Sequence, residues 1–166
     1  MSNPTRVQQL RDTLKTEFEG MTTLAGYNYN YTKVVRALID PQTVKAPLHL
    51  GFYLGKRQLG KLDDKRTIFN KDINVTVQVV KQLSKKPDEE NIEADDAQEL
   101  IINDVERKIS GFMSTYINDA TNPWNVSFDK ETLSEYPMIA TGDDGAKLVV
   151  IFEFCIKLRR LVGVSD

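Results

Sequence analysis

The stretch AKLVVIFEFCIKLRR, residues 146–160, narrows most what this chain can become. It contains no glycine, proline, asparagine or aspartate to break it. In an extended chain successive side chains point to opposite sides, so Leu148, Val150, Phe152, Phe154, Ile156 and Leu158 share one face and are expected to form core. A strand of about 14 residues is far longer than the usual five or six and needs neighbours along its whole length. Val149, Ile151 and Cys155 fall on the opposite face, which is unusually apolar for contact with water and is a first sign of an oligomer. The strand ends in Lys157, Arg159 and Arg160, although the whole chain carries a formal charge of −2. That basic end has few candidate partners within the chain. It is expected at a subunit or partner contact, with Arg159 and Arg160 meeting acidic groups there.

The rest of the chain supplies partners for the strand. Asn3 and Pro4 predict a helix start, as cap and first helical residue. Val7, Leu10, Leu14, Phe18 and Met21 then recur at helical spacing and predict an amphipathic helix stopping near Gly20 or Gly26. After Tyr27, Tyr29 and Tyr31, residues 32–39 read as a strand ended by Asp40 and Pro41. Leu48, Leu50, Phe52 and Leu54 alternate as a second strand, with Gly51 and Gly55 on its other face marking bulges or a close backbone approach. Residues 56–66 read as an exposed loop, and Ile73, Val75, Val77 and Val79 predict a long third strand over 68–83. The segment SKKPDEENIEADD reads as a charged linker, followed by a capping box at Asp95 and Gln98. Ala97, Ile101, Val105, Ile109, Phe112 and Tyr116 then predict a second helix to about residue 118, and NDATNPWNVSF a loop. Gly142, Asp143, Asp144 and Gly145 form a strong hairpin signal before the last strand. The order predicts one α+β domain spanning 1–166: a mostly antiparallel β-sheet with two α-helices packed on one face. The third and last strands are expected to project beyond the helices.

Groups suited to catalysis are sparse. His49 is the only histidine, sits mid-strand with no acidic or thiol cluster near it in sequence, and cannot belong to a multi-histidine metal site. Cys155, the only cysteine, reads as a small strand hydrophobe and excludes an intrachain disulfide, which fits a reducing compartment. Gly51, Gly55 and Gly60 lack the spacing and the lysine-serine ending of a phosphate loop, and Asp143 and Asp144 are explained by turn chemistry. No catalytic, metal or cofactor-binding residues are assigned, and a non-enzymatic role is expected. No apolar leader core and no run near the ~20 apolar residues of a membrane span is found, so assembly in the cytosol is expected.

Charge is segregated. From Lys45 to Lys86 there are ten basic and three acidic residues; from Asp88 to Glu106 there are nine acidic residues and no basic one. Solvated faces explain this, with Asp95 and Asp96 suiting a helix N-terminus. So does head-to-tail assembly, in which a basic loop of one subunit meets an acidic segment of the next and the contacts close into a ring. Nucleic-acid binding by Lys56, Arg57, Lys61, Lys65 and Arg66, with Phe52, Tyr53 or Phe69 stacking, is a third reading.

In layout the chain resembles the tail terminator (tail completion) proteins of long-tailed bacteriophages. The resemblance lies in architecture and spans nearly the whole chain: the N-terminal amphipathic helix, a strand after the tyrosine-rich segment, the proline-led APLHLGFYLG strand, the long INVTVQVV strand, the acidic-capped second helix, and a closing hairpin with a long final strand. It implies a structural virion protein whose hexameric ring sits on the last ring of the tail tube, ends tube polymerisation and offers the surface for head attachment. The implied partners are further copies of itself, the tail tube protein and a head-completion or neck protein. Phage DNA would pass through the lumen without specific binding, and no membrane and no cofactor are implied. The implied location is the head-proximal end of the virion tail, after assembly in the host cytoplasm. Lys56, Arg57, Lys65, Arg66, Asp95, Asp96, Arg159 and Arg160 are the candidate contact residues. The alternatives are a neck or head-completion connector and, from a different class, a small nucleic-acid-binding protein.

Overall fold

The computed structural model describes residues 5–62, 68–83, 90–116, 127–128, 134–142 and 145–161. In chain order the elements are α1 (Arg6–Glu19), β1 (Val34–Val35), β2 (Leu48–Leu62), β3 (Ile68–Gln82), α2 (Glu90–Tyr116), β4 (Ser127–Phe128), β5 (Ser134–Gly142) and β6 (Gly145–Leu161), with single 3-10 turns at Thr23–Ala25 and Pro41–Thr43. The strands form one sheet in the order β1-β2-β3-β6-β4, and β5 also pairs with β6. Only β1 and β2 run parallel; the other pairings are antiparallel. The architecture is α+β, with the helices against one face of the sheet.

The last strand, expected at about 14 residues, is β6 and runs for 17. It pairs with β3 without interruption from Ile68↔Leu161 to Gln82↔Lys147. Gly142↔Gly145 closes the β5–β6 hairpin. On the helix side, Leu50, Phe52, Leu54, Ile73, Val75, Val77, Val79, Leu148, Val150, Phe152, Phe154 and Ile156 are buried. They meet Val7, Leu10, Leu14, Phe18 and Met21 of the first helical region, and Ala94, Ala97, Ile101, Val105, Ile109 and Phe112 of α2. The rings of Phe18 and Phe52 lie 5.6 Å apart, joining α1 to β2. The side chain of Leu158, also expected in this core, lies outside the described residues.

Several expectations are corrected. The cap of α1 is Thr5, not Asn3: its side chain accepts from Gln8 N while Thr5 N donates to Gln8 Oε1 at 2.7 Å, so two terminal donors are satisfied reciprocally. The strand expected over 32–39 shrinks to Val34–Val35 because the chain then leaves the sheet plane and folds over the outer face. There Ile39 N donates to Gln78 Oε1 at 2.7 Å, and Val44, Val80 and Val149 form a second buried cluster with Ile39, Ala140 and Ile151 beside it. The apolar outer face at Val149 and Ile151 is therefore met by the chain's own 39–44 segment. Gly51 makes this possible: a Cβ there would collide with the Ala37 carbonyl oxygen and stand 2.9 Å from Ile39 Cγ1. Gly55 marks the other expected feature, a bulge, since the β2–β3 register shifts between Leu54 and Arg57.

Residues 56–62, read as loop, continue β2, because β3 is long enough to pair with them: Arg57↔Ile73, Gln58↔Asp72, Leu59↔Lys71, Leu62↔Phe69. Helix α2 starts at Glu90, so Asp95 and Gln98 lie inside it and form no capping box. The end of β6 is not short of partners within the chain, since Lys157, Arg159 and Arg160 stand opposite Asp72, Asn70 and Phe69.

The tyrosine-rich segment ties the chain to α2. Asp104, 2 % exposed, accepts from Asn28 N at 2.9 Å, Asn28 Nδ2 at 2.8 Å, Tyr29 N at 3.2 Å and the buried Tyr31 hydroxyl at 3.2 Å. Arg107 donates to the Gly26 carbonyl at 2.7 Å and lies over the Tyr27 ring, while Lys108 pairs with Glu17 of α1 at 2.8 Å. These contacts hold α2 by one side and leave its opposite face outward.

Candidate functional site

Ala94, Ala97, Ile101 and Val105 of α2 point into the core. The helical period therefore turns Ile92, Asp95, Asp96, Glu99 and Leu100 outward, at positions i, i+3, i+4, i+7 and i+8 of one face. All five are exposed, Ile92 to 67 % and Leu100 to 39 %. Asp95 and Asp96 sit beyond the first turn, where the helix dipole has faded, so favourable capping does not account for them. Glu93, one step away, pairs with Lys81 of β3 at 3.1 Å. Tyr29, Lys81, Ile92, Glu93, Asp96 and Ala97 line an open groove of about 460 Å³. Burial, and then the negative charges of Asp104, Glu93 and Asp96, push the Tyr29 phenol above its ordinary pKa.

The basic candidates lie at the other end of the sheet. Lys56 and Arg57 are on the continuation of β2, and Arg159 and Arg160 on the end of β6. Lys65 and Arg66 lie outside the described residues. Twelve positions of β3 separate Lys81, at the acidic end, from Phe69, opposite Arg160. At the rise of a strand this is about 40 Å. The structure thus gathers Lys56, Arg57, Arg159 and Arg160 on one three-stranded segment. It sets Asp95 and Asp96, beside the Lys81–Glu93 pair, towards the opposite end.

On the outer face between these ends, Tyr53, Gly55, Asn74, Thr76, Glu153 and Cys155 border an open depression of about 360 Å³. His49 lies on the same face, opposite Val80; neither ring nitrogen has a hydrogen-bond partner, and burial, then the charge of Lys33, lowers its pKa. Among the described residues no group of three His, Cys, Asp or Glu side chains could hold a metal ion, and no helix is long and apolar enough to cross a membrane.

Sequence reading missed Asp104 and Lys147. Asp104 looked like one more acid of the 88–106 run; its place on the apolar stripe, three residues after Ile101 and one before Val105, was the available signal. Lys147 is buried, with Nζ 3.3 Å from the Gln42 carbonyl, and nothing in the strand pattern distinguished it from a solvated lysine. No family model and no curated protein matches the chain in sequence.

Proposed function

We propose that the protein is a structural ring subunit at the head-proximal end of a bacteriophage tail, capping the tail tube and presenting the surface to which the head joins. One observation carries this reading beyond the resemblance in layout: an acidic helix face lies beside Lys81 at one end of the sheet, and eight positions of β3, about 26 Å, separate Lys81 from Ile73, which stands opposite Arg57 of the basic end. Such groups cannot meet within a chain, but they can meet between successive copies, and a contact between two different surfaces closes into a ring when the rotation between copies allows it. Tail tube protein and a neck protein are the partners of this reading, and the role is assembly without catalysis.

Native mass measurement, alone and with purified tail tubes, tests it. A closed oligomer, a hexamer in the tail-terminator case, that binds tube ends and stops their growth is expected. A monomer that ignores tubes at every concentration would refute the reading. The clustering of Lys56, Arg57, Arg159 and Arg160 at one end of the sheet also favours a second reading, nucleic-acid binding. Salt-dependent affinity of the isolated protein for duplex DNA would support it.

A further inference from the structure

We infer that His49 is an acid-operated latch: a proton on its imidazole releases the 39–44 segment from the outer face of the sheet.

Three observations point to it. The first is an orphaned ring. Both ring nitrogens of His49 are shut off from water and have no hydrogen-bond partner. A neutral imidazole already leaves one donor and one acceptor unmade there. Protonated, it would hold two donors and a charge with nothing to receive them. The second is where the ring lies. His49 stands opposite Val80, which is buried with Val44 and Val149 and has Ile39 packed beside it. Two residues along the same face of β2, Gly51 lets the segment down onto the sheet, since a Cβ there would stand 2.9 Å from Ile39 Cγ1. The third is how lightly the segment is held. Among the described residues two hydrogen bonds tie it to the sheet, Ile39 N to Gln78 Oε1 at 2.7 Å and Lys147 Nζ to the Gln42 carbonyl at 3.3 Å. Lifting it breaks no strand pairing, whereas β2 and β3 beneath it are joined residue by residue.

The groups around the ring offer no counter-charge. Lys33, set beside His49 by the parallel pairing of Val34 with Leu50, has the sign of the protonated ring. From β3 come Val80 and Gln78, both uncharged. On the crossing segment and its flanks, Arg36 pairs with Asp12, Asp40 caps the Pro41–Thr43 turn through Gln42 N, and Lys45 is exposed. On β6, Lys147 is a second buried cation of this face. Burial, then the Lys33 charge, thus keeps the covered ring neutral. With the segment lifted, water reaches the ring and its pKa returns to about 6.5. The open form therefore binds the proton first, and falling pH favours opening.

Amide exchange of the full chain at pH 7.5 and 5.5, read at single residues by NMR and corrected for the intrinsic pH dependence of exchange, tests the latch. An open-form pKa of about 6.5 makes opening up to about tenfold easier over that range. Protection of the Ile39 amide is expected to fall by that factor, while Val77, in the middle of β3, keeps its own. In His49→Leu and His49→Gln, neither of which can take up the proton, Ile39 should be equally protected at both pH values. Circular dichroism melts establish which of the two is folded. Ile39 protection that is independent of pH in the wild-type chain, that falls equally in a folded variant, or that falls together with Val77 overturns the inference.

Discussion

Replacing Asp104 by alanine should be among the most damaging single changes in the protein. The carboxylate is 2 % exposed and receives Asn28 N–H, Asn28 Nδ2, Tyr29 N–H and the Tyr31 hydroxyl. Asn28 Nδ2 can turn towards water, so its loss counts little. The two backbone donors are partly buried and, left unpaired, cost about 1 kcal/mol each, while the buried Tyr31 hydroxyl costs about 2 kcal/mol. The sum, roughly 4 kcal/mol, is a large share of the 5–15 kcal/mol that holds an ordinary domain together. Tyr31→Phe alone removes one charge-assisted bond and should cost about 2 kcal/mol, but in the Asp104→Ala background it should recover about 2 kcal/mol, because it removes a buried hydroxyl already left without its acceptor. Urea unfolding of the four proteins of this cycle, followed by circular dichroism, gives the coupling directly. Amide exchange at Asn28 and Tyr29 should accelerate selectively in Asp104→Ala. A loss below 1 kcal/mol for Asp104→Ala, or strict additivity with Tyr31→Phe, would refute the claim that this carboxylate holds the tyrosine segment to α2.

Other outcomes follow from single sites. Gly51→Ala pushes a methyl group into the Ala37 carbonyl and should destabilise by about 1–3 kcal/mol in thermal melts, whereas Gly55→Ala, whose nearest neighbour is 3.6 Å away, should be near neutral. Burial lowers the pKa of His49, so above about pH 6.5 both folded and unfolded states are neutral there. As the pH falls the unfolded chain takes up the proton first, and stability should drop below about pH 6.5 and continue to drop until the folded pKa is reached. His49→Leu should flatten that part of the curve of unfolding free energy against pH. Burial and the Asp104 charge raise the pKa of Tyr31, so its contribution is complete below about pH 10 and fades as the unfolded phenol ionises above it. Tyr31→Phe should weaken the alkaline loss of stability measured by the same titration.

The two-residue alternation of β3 and β6 and the helical stripes of α1 and α2 were legible because each element buries one face against the same core. That made the fold class readable from residues such as Val75, Phe152 and Ile101. What escaped reading depended on tertiary contact. Residues 56–62 look like a loop by composition and become strand because β3 lies alongside them. Residues 36–39 look like strand and leave the sheet because Gln78 and Gly51 offer them a place on the outer face. Of the candidate contact residues, Asp95 and Asp96 were recognisable as a surplus of charge. Their membership of one outward face with Ile92 and Leu100 became readable only once α2 was known to begin at Glu90.

The two register shifts of β2, between Leu54 and Arg57 and between Leu59 and Leu62, bear on how a sheet this long stays out of trouble. β1 covers β2 only at Leu50 and Gly51, and among the described residues nothing else lies along that edge. A straight edge of such length is a template for endless strand addition and for fibres. Each shift inserts an extra residue, sharpens the local twist and breaks the even spacing of the outward N–H and C=O groups. A second edge could then match it for a few residues before drifting out of step. The irregularity of β2 therefore serves as protection against aggregation: strand addition along this edge is stopped after a few residues.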